Sequence, residues 1–129
     1  MLKFDLLHDK GIVILKPESA LRAEDFAALA AAVDPYLEQN GTLNGLMIDA
    51  PSFPGWESFA AALSHLRFVR DHHRRIRRVA VVSDSALLTA GPKIASHFVA
   101  AELRSFPSAE RAAALTWLED GPPTTTSAA

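Results

Sequence analysis

An α/β fold with an N-terminal β-hairpin and a mostly parallel sheet is the fold class the sequence predicts, and three observations predict it. Short β-prone apolar runs alternate with longer stretches of helical period. The first two runs are separated only by His8-Asp9-Lys10-Gly11, a polar link with a glycine where a hairpin needs one. Two later runs are apolar on successive positions, which suits strands buried on both faces of a parallel sheet. The resulting order, β-β-α-β-α-β-α-β-α, favours right-handed βαβ units.

Each element has its own signal. Lys3 to Leu7 and Ile12 to Lys16 are the hairpin strands. From Ala23 to Gln39, Phe26, Leu29, Ala30, Val33 and Leu37 recur at helical spacing and Asn40-Gly41 supplies a stop. Pro35 lies inside that stretch, so a kink or break is expected near Asp34. Gly45 to Ala50 reads as a buried strand ending at Asp49. Pro51 to Gly55 reads as a loop, and Trp56 to His73 as a long amphipathic helix with Phe59, Ala62, Leu63, Leu66, Val69 and Arg70 along one stripe. Val79 to Val82 is the clearest buried strand. Ser83-Asp84-Ser85 reads as the cap of a further helix that runs toward Phe98 and is interrupted at Gly91-Pro92. Ala101 to Phe106 is the final strand. Pro107-Ser108 caps the last helix, with Ala112, Leu115 and Leu118 expected toward the core and Trp117 covering one end.

Composition bounds the rest. A chain of 129 residues, 49% hydrophobic and 22% charged, fits one domain, read as residues 1–120 followed by a mobile tail, 121–129. The absence of cysteine excludes disulfides, thiolate metal sites and cysteine nucleophiles, and suits a cytoplasmic location. Asp5 and Asp9 interrupt the apolar stretch a signal peptide would need. No apolar run approaches the roughly 18 residues a spanning helix requires, so any membrane contact is expected to be peripheral. A net charge of −2 argues against nucleic acid as the partner.

Three stretches carry a resemblance. They are Leu46-Met47-Ile48-Asp49 followed by Phe53-Pro54-Gly55-Trp56-Glu57, the basic turn entering Arg78-Val79-Ala80-Val81-Val82-Ser83-Asp84, and Ala101-Glu102-Leu103-Arg104-Ser105-Phe106 leading to Ala114-Leu115-Thr116-Trp117-Leu118. In these the chain resembles the SpoIIAA-like domains, relatives of the STAS domain of sulfate transporters and anti-sigma factor antagonists. The resemblance implies a β-α superhelix like that of STAS and CRAL-TRIO domains and an apolar-ligand or membrane-associating role; a homodimer is a separate expectation for the partner. Regulatory STAS proteins carry a phosphorylated serine in a compact Asp-Ser-Ser-Gly type of turn after the third strand. Here that place reads Asp49-Ala50-Pro51-Ser52-Phe53-Pro54-Gly55-Trp56, so Ser52 and Ser58 are the candidate phosphosites and two prolines and a tryptophan replace the small polar turn.

Candidate site residues fall into two groups. Asp49 and Asp84 stand at the carboxyl ends of strands, the edge where open α/β sheets bind ligands, although an aspartate there is more often a turn former or cap. Phe53, Trp56, Phe59 and Leu63, facing Leu87 and Leu88, would make an apolar pocket at that edge; the competing reading is plain helix packing. Arg67, Arg70, Arg74, Arg75, Arg77 and Arg78, with His72 and His73, form the one dense charge cluster. It is read as a solvated helix end, as a patch for an anionic membrane surface or lipid head group or, last, as a nucleic-acid contact, the two histidines being surface residues that cannot share a metal ion. No G-x-S-x-G, H-E-x-x-H, Walker A or G-x-G-x-x-G motif is present. The expectation is a non-enzymatic protein without metal or cofactor that binds an apolar or lipid-like molecule and associates reversibly with membranes. The alternative is a partner-switch regulator controlled at Ser52 or Ser58, and an enzyme using Asp49 ranks last.

Overall fold

The computed structural model describes residues 2–50, 59–84 and 101–119. Five strands form one sheet: β1 (Leu2–Leu7), β2 (Ile12–Pro17), β3 (Leu43–Asp49), β4 (Ile76–Val82) and β5 (Glu102–Phe106). They lie side by side in the order β1-β2-β3-β4-β5, with β1 antiparallel to β2 and every later pair parallel. Helices α1 (Ala23–Asn40) and α2 (Phe59–His72) pack on one face of this sheet, and α3 (Arg111–Glu119) on the other. The tail 121–129 and the helix expected after Asp84 lie outside the described residues.

The hairpin turns over His8 to Gly11, and Gly11 takes φ of 68°, a conformation in which a Cβ is strained. Alternation along β2 then sends Val13 and Leu15 to the α1 side, where they meet Phe26, Leu29, Val33 and Leu37. Ile12 and Ile14 go to the α3 side, with Met47, Ala80, Val82, Phe106, Ala114 and Leu118. Both faces of the central strands are therefore buried. This is why β3 and β4 read as continuous apolar runs.

Helix α1 begins where the Asp25 carboxylate accepts the Arg22 backbone N–H at 2.8 Å, satisfying a donor at the helix start. It runs unbroken through Pro35, against the expected kink. Pro35 and Ala31, whose carbonyl loses its partner, both lie on the exposed side, where water can bond that carbonyl. Buried Val33 and Leu37 hold the helix to the sheet on either side of the proline.

Two helix faces differ from expectation. In α2 the buried stripe is Ala61, Phe68 and His72, whereas Leu66 is 66% exposed and Leu63 37%. The Phe26–Phe68 contact and the stacking of His65 on Phe26 set this rotation, so histidines occupy places where apolar residues were sought. His72 is accordingly not a surface residue: it is buried, stacked on Phe68 with ring centres 4.1 Å apart. In α3 the buried positions are Ala114 and Leu118, with Leu115 half-buried and Ala112 exposed. Trp117 lies against Phe106 at the rim of that core.

Candidate functional site

At the carboxyl edge of the sheet, β3 ends at Asp49 and β4 runs into Ser83 and Asp84. The Asp49 carboxylate accepts Arg111 Nε at 2.8 Å, which ties the end of β3 to the first residue of α3. The Asp84 carboxylate accepts both the Ser108 hydroxyl and, at 3.0 Å, the Ser108 backbone N–H. Those two donors hold the Asp84 carboxyl below the ordinary carboxylate range. Asp84 thus anchors the connection from β5 to α3. Both acids have protein partners.

Of the expected aromatic site, Phe53, Trp56, Leu87 and Leu88 lie outside the described residues, as do Ser52 and Ser58. Phe59 is the first residue of α2, and Leu63 lies one turn on, on the exposed side of that helix.

The arginine cluster is divided by the fold into two kinds. Arg75 donates from Nη2 to the Leu37 carbonyl at 2.7 Å and from Nε to the Gly41 carbonyl at 3.1 Å, closing the C-terminus of α1. Arg78 donates from Nη1 to the Trp117 carbonyl at 2.6 Å, lies over the indole ring, and pairs with Glu102 at 3.4 Å. It closes the C-terminus of α3. These two cations serve helix ends in other parts of the chain. Arg67, Arg70, Arg74 and Arg77 are exposed, and Arg70 pairs with its exposed neighbour Asp71 at 3.0 Å.

The exposed arginines share a helix face with exposed leucines. At 100° per residue, Leu63, Leu66, Arg67 and Arg70 fall within an arc of about 100°, directly opposite Ala61, His65, Phe68 and His72. The outer face of α2 is therefore both apolar and basic, and it leads into Arg74 in the short turn before β4. The sequence reading assigned these leucines to the core; the signal for the true phase is the Ala61, His65, Phe68, His72 spacing of four, three and four. Among the described residues no group of His, Asp and Glu is placed to hold a metal ion, and no helix is long and apolar enough to cross a membrane.

A family model, SpoIIAA-like, matches residues 12–119. The chain belongs to the SpoIIAA-like family. A solved structure supports the fold: an uncharacterized protein with a SpoIIAA-like fold from Shewanella loihica PV-4, 22% identical, superimposes with a TM-score of 0.70 over 92% of this chain and 92% of that chain. No curated protein matches the sequence. In this SpoIIAA-like chain the family match spans all the helices and strands described except β1.

Proposed function

We propose that this SpoIIAA-like protein is a non-enzymatic binding module that docks reversibly on anionic lipid surfaces through the outer face of α2, its ligand an apolar or lipid-like molecule. The observation that carries this reading is the exposure of Leu63 and Leu66 on the same helix face as Arg67 and Arg70. Basic side chains near an anionic surface contribute about 1 kcal/mol each, and an apolar side chain that leaves water on insertion adds a term that salt does not screen. One helix face supplies both. Asp71, at the edge of the face and paired with Arg70, offsets part of the charge.

The test is cosedimentation of the full chain with vesicles. Binding is expected to vesicles containing phosphatidylserine or phosphatidylglycerol and not to phosphatidylcholine alone, and to weaken as salt is raised. The variant Arg67→Gln, Arg70→Gln, Arg74→Gln, Arg77→Gln keeps Arg75 and Arg78 in their capping roles and is expected to lose binding while folding normally. Equal binding to neutral vesicles, or undiminished binding of this variant, would overturn the proposal.

A further inference from the structure

On the sheet face that carries α3, opposite the face covered by α1 and α2, there is a shallow depression of about 150 Å³ lined by Lys3, Phe4, Asp5, Ile14, Lys16 and Arg111. Strand pairing sets its rim. Lys3 faces Lys16 as a direct partner across the antiparallel β1–β2 pair, and Asp5 faces Ile14 in the next same-face pair. Like charges directly opposite each other destabilise a sheet, so the Lys3–Lys16 pair carries a repulsion that Glu18, paired with Lys3, offsets in part. Both lysines are exposed, and neither bonds a helix end among the described residues.

Arg111 lines the same depression from the first residue of α3. Its Nε is held by Asp49 at 2.8 Å, which orients the guanidinium, and that group carries further N–H donors. Lys3 reaches Glu18 at 3.4 Å, but both side chains are largely exposed, at 63% and 48%, and such a pair is weak and exchangeable. Glu18 and Asp49 reduce the net charge nearby without lining the depression. Among the lining residues three cations stand against the single carboxylate of Asp5, and Ile14 adds an apolar surface.

From the opposed lysines and the fixed guanidinium around one depression we infer a binding site for a dianionic oxyanion, a phosphate monoester. Lys3 and Lys16 act as point charges and Arg111 donates directional hydrogen bonds to phosphate oxygens. Binding converts the repulsion between the lysines into a shared attraction. Stability forgone in the free protein is recovered in the complex. The site shares no residue with the outer face of α2 and stands or falls independently of lipid-surface docking.

The test is a titration of the full chain followed by amide NMR, with inorganic phosphate and with hexyl phosphate, against chloride at equal ionic strength. Saturable shifts centred on Lys3, Asp5, Ile14 and Lys16 are expected with phosphate. Tighter binding of hexyl phosphate would assign the site to lipid-borne or other apolar esters, and equal affinity to small free phosphates. Lys16→Thr is expected to weaken phosphate binding at least tenfold and, in phosphate-free buffer, to raise the thermal midpoint, because it removes the repulsion across the β1–β2 pair. Lys3→Gln is expected to do the same through the other partner. The inference is overturned if neither ligand shifts these residues beyond the chloride control, or if both variants bind phosphate as the unaltered protein does. A thermal midpoint that falls in both variants in phosphate-free buffer would equally remove its basis.

Discussion

Arg78 Nη1 donates to the Trp117 carbonyl at 2.6 Å while the same guanidinium lies 4.8 Å from the centre of the Trp117 ring. A carbonyl in the last turn of α3, which has no partner within its helix, is thereby satisfied from a neighbouring strand. Removing the guanidinium loses a charge-assisted hydrogen bond and a cation–π contact together. Arg78→Gln is therefore expected to lower stability by about 1–3 kcal/mol. Arg74→Gln and Arg77→Gln, at exposed positions, should each stay within about 0.5 kcal/mol. Urea unfolding midpoints of the three variants distinguish a structural arginine from surface ones.

Gly45 sits beneath α3, where an added Cβ would come within 2.9 Å of Leu118 Cβ. Because Leu118 Cβ is fixed to the helix backbone, the clash cannot be relieved by a rotamer change, and α3 must move outward. Gly45→Ala is expected to cost about 1–3 kcal/mol. Leu118→Ala alone should cost about 2–5 kcal/mol through the cavity it leaves. In the double variant the Cβ that remains on the helix still meets the new methyl, but the smaller side chain lets the helix settle, so the two costs should sum to more than the measured total. A strictly additive cycle would show that the contact is not what constrains this helix.

His65 stacks on Phe26 with ring centres 5.0 Å apart, and burial lowers its pKa from the ordinary 6.5. Folding thus favours the neutral ring. The unfolded chain binds the proton more tightly, so the contribution of His65 to stability is full above about pH 6.5 and is lost as pH falls below that value toward the folded-state pKa. The thermal midpoint should decline between pH 7.5 and 5.5. His65→Phe, which keeps the stacking and has no proton to bind, should show a shallower decline. Identical pH profiles for the two proteins would place the titration elsewhere than at His65.

The strands were legible because β-prone apolar runs bounded by Gly11, Gly41 and Pro107 leave little choice of period. The Pro35 kink was misread because sequence does not say which side of α1 faces water; with Ala31 and Pro35 exposed, the lost hydrogen bond costs little. The phase of α2 was misread for the complementary reason. Hydropathy ranks Leu63 and Leu66 above His65 and His72, yet ring stacking on Phe26 and Phe68 and a hydrogen bond to Asp34 satisfy the histidines inside. Arg75 and Arg78 could not be separated from their neighbours by sequence, since the carbonyls they bond are those of Leu37, Gly41 and Trp117, at least 34 residues away. The opposed Lys3 and Lys16 were implicit in the hairpin register but needed Arg111, from the other end of the chain, to define a site.

Leu66 allows the apolar and charged parts of lipid docking to be separated. Leu66 is 66% exposed, so Leu66→Ser removes little packing, and the thermal midpoint should hardly move. Insertion into a bilayer would take that exposed area out of water, worth about 1–2 kcal/mol for two-thirds of a leucine side chain, or roughly 5–30-fold in affinity. The arginine contribution fades as added salt screens the surface potential, whereas the leucine contribution does not. The ratio of wild-type to Leu66→Ser binding on anionic vesicles should therefore hold constant between 50 and about 300 mM salt while both affinities fall. For the arginine-to-glutamine variant the corresponding ratio should shrink toward one. If Leu66→Ser binds anionic vesicles as tightly as the unaltered protein throughout, the leucines are spectators and only electrostatic adsorption of the arginines would survive as a mode of attachment.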